Sequence, residues 1–269
     1  MGSGIALCAA QNGFDTILFD TNENVLLNAQ KSINKSLDSL AEKNKITPEE
    51  KSAILQRFAF TKNINDCVAP LIIEAIVEKP EIKISLFNQL ATINESSCIF
   101  ASNTSSLSIN LLQDGIANPE RVAGMHFFNP AQIMKLVEVV KAKHTSDAAI
   151  ETIMEVCKQM KKTAVLCIDA PGFIVNRVAR HYYLEAMKLV EKGIATFETV
   201  DEIMEATGFK MGPFKLMDLI GMDINLAVST SLYEAFNHEP RFEPSPIQIK
   251  KVKDGELGKK TGRGFYSYS

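Results

Sequence analysis

The sequence predicts an α/β domain with a mostly parallel sheet, followed by a second domain built only from helices. Over residues 1–168, short apolar runs typical of buried strands alternate with longer helical patterns, which indicates βαβ units. After residue 168 a turn signal ends the strand patterns, and long helical patterns follow. A length of 269 residues also favours two domains at about 150 residues each. We therefore predict domains at 1–168 and 169–269.

The elements of the first domain follow from these patterns in order. Small and apolar residues at helical spacing lead to Gly13, and 16–19 is predicted to be a buried strand. Asn22 is a plausible N-cap for a helix over about 23–44, and Pro48 opens another helix. The later predicted segments are a strand at 71–76, a helix at 80–94, and strands at 98–102, 122–125, 136–140 and 165–168.

The second domain is predicted to contain long helices over 173–192, 197–207 and 213–237, then a proline-rich loop and a short terminal helix. Its helices carry more apolar residues than one thin domain is expected to bury. These residues include Leu216, Met217, Leu219, Ile220 and Leu226. We expect a homodimer formed through these helices.

Composition excludes several classes of protein. A net charge of −3 provides no overall field for nucleic acid. No uncharged apolar run approaches the ~20 residues of a membrane span, and no basic secretory leader precedes an apolar core. The five cysteines form no CxxC motif or disulfide framework. We expect a cytoplasmic protein with neither a metal site nor a membrane or nucleic-acid partner.

Gly2 and Asp20 have the spacing of part of a dinucleotide-binding motif. Such a motif combines a strand, a glycine-rich turn, a helix N-terminus and an acidic residue about 20 positions later for the ribose. Gly2 begins a predicted helix and Asp20 ends a predicted strand, but no strand or earlier glycines precede Gly2. Alone, the pair also fits an ordinary small-residue helix packed on a sheet. We expect a Rossmann-type domain lacking its first strand, with weakened pyrophosphate binding.

Three motifs carry a resemblance to a known family. They are Asn103-Thr104-Ser105-Ser106, His126-Phe127-Phe128-Asn129-Pro130 and Pro171-Gly172-Phe173-Ile174-Val175-Asn176-Arg177. Together with Glu74-Ala75-Ile76-Val77-Glu78 and the glycine-rich C-terminal end, they resemble the 3-hydroxyacyl-CoA dehydrogenase family. The similarity is greatest to the short-form 3-hydroxybutyryl-CoA dehydrogenases, without their N-terminal strand and first glycines. The resemblance implies an NAD-dependent oxidoreductase that interconverts a (3S)-3-hydroxyacyl-CoA and its 3-ketoacyl-CoA.

The resemblance also implies four catalytic residues. Oxidation of a 3-hydroxyacyl thioester needs a base for the hydroxyl proton, and histidine suits that task near neutral pH. His126 would be this base, and Glu138 would orient its imidazole. Ser105 would hydrogen-bond the substrate oxygen, and Asn176 would position substrate or stabilise developing charge. From the residues alone, the last three equally fit a surface strand position, a turn and a helix start.

The charge of Asp20 favours NAD over NADP, because a carboxylate accepts from both ribose hydroxyls and repels a 2′-phosphate. The resemblance implies further cofactor contacts. They come from Met1, Gly2, Glu78, Lys83, Asn103, Ser105, Asn129 and Lys260. Lys83 fits a solvated helix lysine equally well.

Ser36 and Lys43 are expected to hold the coenzyme A arm of the substrate, with Ser105 at the reacting end. They lie seven positions apart on a predicted helix and so share one face, where a hydroxyl and an ammonium group suit phosphate. A merely solvated lysine face is the alternative there. Two other functions also stay open: a relative acting on a free hydroxy acid, and a non-catalytic dinucleotide-binding protein.

Overall fold

The computed structural model describes residues 1–268, which divide into two compact units. The first unit is Met1–Asp169, and the second begins at Ala170. The sequence placed the boundary after residue 168. The predicted functions of the two domains stay predictions.

The first unit alternates helices and strands as the apolar patterns indicate. Its elements are α1 (Gly2–Gln11), β1 (Thr16–Phe19), α2 (Glu23–Glu42), α3 (Pro48–Gln56), β2 (Phe58–Thr61), β3 (Leu71–Glu74), α4 (Pro80–Ile93), β4 (Ile99–Ser102), α5 (Ile109–Gln113), β5 (Val122–Phe127), β6 (Leu136–Lys141), α6 (Asp147–Gln159) and β7 (Thr163–Ile168).

The helix starts follow from capping chemistry. The side chain of Asn22 accepts a hydrogen bond from the Asn24 amide and caps α2, as its position in the sequence suggested. Thr47 and Glu50 form a reciprocal capping box at the start of α3, and Pro48 occupies the first helical turn, where its missing N–H costs nothing. Local sequence therefore determines where these two helices begin.

The main sheet has the strand order β3-β4-β5-β6-β7, and all its pairs are parallel except the antiparallel β5–β6 pair. The connection over 128–135 is too short for a crossover helix, so β6 must run back alongside β5. β1 and β2 form a separate two-stranded parallel sheet. The predicted fold class, a mostly parallel sheet domain followed by helices, is confirmed.

Both faces of the central strands are covered. Every residue of β4 and β5 is buried. One face packs against α1 and α6 through an apolar cluster that includes Ile5, Met125 and Ile153. On α4, Phe87 lies 5.4 Å from the ring of Phe100 in β4. Polar side chains that end these strands are thus held on a rigid support.

The second unit contains α7 (Val175–Glu191), α8 (Phe197–Ala206), α9 (Pro213–Ile220), α10 (Met222–Ala235) and α11 (Pro246–Lys253). The single helix predicted over 213–237 is wrong, because α9 and α10 are separate helices. They meet at Gly221, whose φ of 107° is unfavourable for a residue with a Cβ.

Two buried aspartates hold the C-terminal segment of this unit. Asp218 accepts hydrogen bonds from the amides of Phe265 and Tyr266 and from the hydroxyl of Tyr268. Asp201 accepts from the hydroxyl of Tyr266 at 2.8 Å. Burial, and then these carboxylates, raise the pKa of both tyrosine hydroxyls. The two aspartates therefore tie the glycine-rich end to α8 and α9.

All five cysteines are buried free thiols in the part of the chain that the structure describes. Burial raises the pKa of Cys98 to about 11 and that of Cys157 to about 12. Across residues 1–268 there is no group of three or more metal-ligating side chains. None of the described helices has both the length and the apolar character needed to cross a membrane.

Candidate active site

His126 and Glu138 occupy directly opposed positions on the antiparallel strands β5 and β6. Their side chains share one face of the sheet, and Nδ1 of His126 lies 2.8 Å from Oε2 of Glu138. The two residues are only 4% and 1% exposed. The sequence placed His126 just after a strand, whereas it is the penultimate residue of β5. The ladder thus fixes the imidazole more firmly than a loop would.

Ser105 lies in the loop after β4, and its Oγ is 3.1 Å from Nε2 of His126. An ionised carboxylate at Glu138 only accepts hydrogen bonds, so the proton of a neutral imidazole resides on Nδ1. Nε2 then has its lone pair facing the hydroxyl of Ser105. The three side chains form a hydrogen-bonded row whose Nε2 atom can take up or release a proton.

Asn103 and Phe128 support this row from the two loops that flank it. The side-chain oxygen of Asn103 accepts a hydrogen bond from the Phe127 amide at 2.8 Å. The ring of Phe128 lies 4.6 Å from the imidazole of His126. In this structure Asn103 therefore joins the end of β4 to the end of β5.

Lys83 is buried, with 1% exposure, so its interpretation as a solvated helix lysine is wrong. Its Nζ lies 2.7 Å from Oε1 of Glu74 and 3.0 Å from Oε2 of Glu78. Sequence reasoning gave Glu74 no function, although a carboxylate ending the apolar run Leu71-Ile72-Ile73 was a visible signal. Paired carboxylates offset the cost of burying a charged ammonium group in this way.

Glu78 connects this charged cluster to the Ser105 loop. It accepts hydrogen bonds from the hydroxyl of Thr104 and, at 3.0 Å, from the amide of Ser105. Burial raises the pKa of Glu78, but the Thr104 hydroxyl, the charge of Lys83 and the Ser105 amide outweigh burial and hold it below its usual range. Thr104 is a second residue whose contribution sequence reasoning missed.

Three of the predicted binding residues, Met1, Ser36 and Asn129, line one cavity of about 170 Å³. The start of α1, the middle of α2 and the segment after β5 enclose it. A Cβ at Gly4 would lie 2.9 Å from Oε1 of Gln132, the end of a flexible side chain, and 3.4 Å from the Cβ of Ala131.

The remaining predicted residues of the first unit lie at element ends. Gly2 is the first residue of α1, and no side chain caps that helix. Asp20 follows β1, and its carboxylate accepts a hydrogen bond from the Asn22 amide at 2.8 Å. Lys43 is exposed and is the C-cap of α2. It therefore lies one residue past the end of the helix, whereas the sequence predicted it within the helix.

Asn176 and Lys260 belong to the second unit. Asn176 is the second residue of α7. The Nζ of Lys260 is 2.5 Å from Oδ1 of Asp223 in α10. Burial would raise the pKa of Asp223, but the hydrogen bond and charge of Lys260 and nearby backbone amides hold it below its usual range.

An α/β unit with an uncapped helix start, an acidic residue at a strand end and a buried histidine–carboxylate pair favours a nucleotide-dependent oxidoreductase. Two family descriptions match the chain. Residues 1–170 match "3-hydroxyacyl-CoA dehydrogenase, NAD binding domain", and residues 172–268 match "3-hydroxyacyl-CoA dehydrogenase, C-terminal domain". The chain therefore belongs to the 3-hydroxyacyl-CoA dehydrogenase family, a family of NAD-dependent oxidoreductases.

Individual relatives cover the whole chain. The 3-hydroxyadipyl-CoA dehydrogenase of Escherichia coli is 43% identical over 100% of this chain and 57% of its own length. The mitochondrial hydroxyacyl-coenzyme A dehydrogenase of Sus scrofa is 40% identical over 100% of this chain and 88% of its own length. This chain thus spans little more than half of the first relative and most of the second.

Solved structures agree with this assignment. The crystal structure of 3-hydroxybutyryl-CoA dehydrogenase from Escherichia coli K12 matches with a TM-score of 0.97 and 43% identity, covering 100% of this chain and 57% of that chain. The (S)-3-hydroxybutyryl-CoA dehydrogenase from Ralstonia eutropha matches with a TM-score of 0.95 and 35% identity, covering 100% and 95%. The predicted family, the oxidoreductase class and NAD as cofactor are confirmed.

Proposed function

We propose that this chain interconverts a (3S)-3-hydroxyacyl-CoA, 3-hydroxybutyryl-CoA in particular, and the corresponding 3-ketoacyl-CoA. The observation that carries the proposal is the imidazole of His126, hydrogen-bonded to Glu138 on Nδ1 and facing Ser105 on Nε2. A base with its second nitrogen fixed by a carboxylate is what oxidation of a secondary alcohol requires.

The residues of the first unit fit NAD. The uncapped amides at the start of α1, from Gly2, suit a pyrophosphate, and Asp20 at the end of β1 suits the adenosine ribose. Met1, Asn103 and Asn129 are proposed as further contacts, with Glu78 and Lys83 near the nicotinamide ribose. NAD held by these residues would supply the hydride acceptor for C3 of the substrate.

Side chains of the protein are proposed to transfer the proton of the C3 hydroxyl group. In the oxidation direction, Ser105 hydrogen-bonds the C3 oxygen and Nε2 of His126 accepts the hydroxyl proton. Glu138 stabilises the imidazolium that forms, and it keeps the ring in the tautomer whose Nε2 is unprotonated beforehand. In the reduction direction the same Nε2 returns the proton to the C3 oxygen. Asn176 is proposed to position the acyl group or to stabilise negative charge on its oxygen.

Ser36 and Lys43 are proposed to hold the coenzyme A arm. Ser36 lines the 170 Å³ cavity, and its hydroxyl bonds the Ser32 carbonyl within α2 at 2.9 Å. The ammonium group of Lys43 is exposed at the end of the same helix. The hydroxyl of Ser36 within α2 and the cation of Lys43 at the end of α2 could contact different parts of a long phosphorylated ligand.

The substrate class is tested by comparing acetoacetyl-CoA with free acetoacetate as oxidants of NADH. We expect kcat/KM to be about 100-fold or more higher for the thioester, because the coenzyme A arm adds binding energy remote from the reacting carbon. Lys43→Ala should raise the KM for acetoacetyl-CoA, whereas the exposed neighbour Lys45→Ala should not. Equal rates with both oxidants would favour a free hydroxy acid, and no turnover would favour a non-catalytic protein.

We also propose a homodimer formed through the helical unit. Met217 is fully buried inside that unit, but Leu219 and Ile220 on the same helix are 50% and 38% exposed. Exposed apolar side chains on one helix support a dimer in which this face is buried against a second copy of the chain. Light scattering should give about twice the 29.7 kDa chain mass, and a monomer at micromolar concentration would contradict the proposal. The cytoplasmic location stays a prediction.

A further inference from the structure

Glu74, Lys83 and Glu78 form a charged cluster at the carboxyl end of β3, in which Glu74 and Lys83 are buried and the side chain of Glu78 is 38% exposed. The ammonium group of Lys83 lies 2.7 and 2.8 Å from the two carboxylate oxygens of Glu74. It is 3.0 Å from Oε2 of Glu78. Lys83 has 1% exposure and Glu74 has 3%. Any effect of these two side chains on the rest of the site is therefore transmitted through the groups that they contact here.

Glu74 is held rigidly as well. Its Oε1 accepts a hydrogen bond from the Ile76 amide at 2.6 Å, and its Oε2 accepts from the hydroxyl of Ser102 at 2.7 Å. Ser102 ends β4, the strand beside β3. Both carboxylate oxygens therefore have fixed positions relative to two strands, and they fix the ammonium group of Lys83 in turn.

Lys83 sets the orientation of Glu78. Oε2 of Glu78 bonds Lys83, which leaves Oε1 to face the loop after β4. Oε1 accepts from the hydroxyl of Thr104 and from the amide of Ser105 at 3.0 Å. The Thr104 hydroxyl in turn accepts from the Leu107 amide at 2.8 Å. One carboxylate oxygen therefore organises the backbone of this loop.

The loop carries the hydroxyl that faces the candidate base. Ser105 Oγ lies 3.1 Å from Nε2 of His126, and the amide of the same residue is bonded to Glu78. A shift of the Ser105 backbone would move its Oγ relative to the imidazole. A continuous row of contacts thus runs from Glu74 through Lys83 and Glu78 to this pair.

We infer that Glu74 and Lys83 are positioning residues, which act through Glu78 to hold the Ser105 hydroxyl in register with His126. This inference rests on the proposed dehydrogenase function. It gives Lys83 an action through Glu78, in addition to the cofactor contact proposed above. It also gives Glu78 a second function beside the nicotinamide ribose.

The test is a double-mutant cycle between Glu74→Gln and Ser105→Ala, with acetoacetyl-CoA and NADH as substrates. Glu74→Gln should lower kcat about 10-fold or more, because small displacements of a reacting group are costly. It should leave the KM for acetoacetyl-CoA and the Kd for NADH within about twofold. In the Ser105→Ala background the same substitution should have little further effect on kcat, because the hydroxyl that it positions is absent.

Two controls separate positioning from folding. The double variant Glu74→Gln/Lys83→Met buries no charge at either position, so its thermal stability should recover towards wild type while kcat stays low. The exposed neighbours on the start of α4 give matched variants, Lys79→Met and Glu81→Gln, which should keep wild-type kcat. If stability and kcat recover together in the double variant, the cluster is merely structural and the inference is wrong.

A readout independent of turnover completes the test. The amide resonance of Ser105 in a nitrogen-15 NMR spectrum should shift in Glu74→Gln and not in Glu81→Gln. The inference is overturned by an unchanged Ser105 resonance in Glu74→Gln. It is also overturned if Glu74→Gln lowers kcat equally in the wild-type protein and in Ser105→Ala. If the wild type does not turn over acetoacetyl-CoA at all, the proposed function fails instead, and the resonance alone decides whether Glu74 positions the loop.

Discussion

Replacing His126 by glutamine is expected to lower kcat for acetoacetyl-CoA reduction by about 10³-fold, within the 10²–10⁴ range that general acid–base catalysis contributes. The glutamine amide can still donate a hydrogen bond to Glu138, but it has no group that takes up or releases a proton near neutral pH. The Kd for NADH should change little, because His126 is assigned to the proton and has no assigned cofactor contact. Steady-state rates and fluorescence titration with NADH measure the two quantities.

Glutamine is the better probe here than alanine because His126 and Glu138 are both buried. Alanine would remove one partner of a buried carboxylate and cost about 3–5 kcal/mol if the pair is charged, which confuses activity with folding. The exposed His144 provides the matched control, since His144→Gln changes the same chemical group in the same unit. Equal activity of His126→Gln and His144→Gln would contradict the assignment of the base.

Replacing Glu138 by glutamine is expected to lower kcat by about 10²- to 10⁴-fold. The carboxylate only accepts from Nδ1, at 2.8 Å, and this keeps Nε2 unprotonated in the neutral ring. A glutamine amide can donate to Nδ1 instead, which moves the ring proton to Nε2 and blocks the base. The amide also cannot neutralise the imidazolium formed during oxidation.

The result is measured as kcat in both directions, with circular dichroism as a check on folding. The exposed Glu155→Gln on α6 changes the same group away from the pair and should keep wild-type activity. The nitrogen-15 shifts of the histidine ring in Glu138→Gln should report protonation at Nε2. Wild-type kcat in Glu138→Gln would show that the carboxylate does not orient the imidazole.

Much of the fold could be predicted because it depends on local signals. Asn22 and Pro48 mark helix starts by chemistry that acts within a few residues. The strand β2 was missed, since its four residues directly follow a helix and carry too short a pattern to identify. The break at Gly221 was also missed, because glycine inside a helical pattern is compatible with both a helix and a turn.

The site was less accessible to sequence reasoning. His126 and Glu138 are twelve positions apart, and only the antiparallel register of β5 and β6 places them opposite each other. Spacing along the chain does not specify that register, so the family resemblance had to supply the pair. Lys83 resembled a surface lysine because its burial depends on Glu74, which lies on a different element.

The proposed dehydrogenase function is tested most directly by the product balance when the purified chain is incubated with NAD and (3S)-3-hydroxybutyryl-CoA. We expect equimolar NADH and acetoacetyl-CoA, measured by absorbance and mass spectrometry, at a rate that falls about 10³-fold in His126→Gln. Absence of NADH formation, or formation that does not depend on His126, would contradict it.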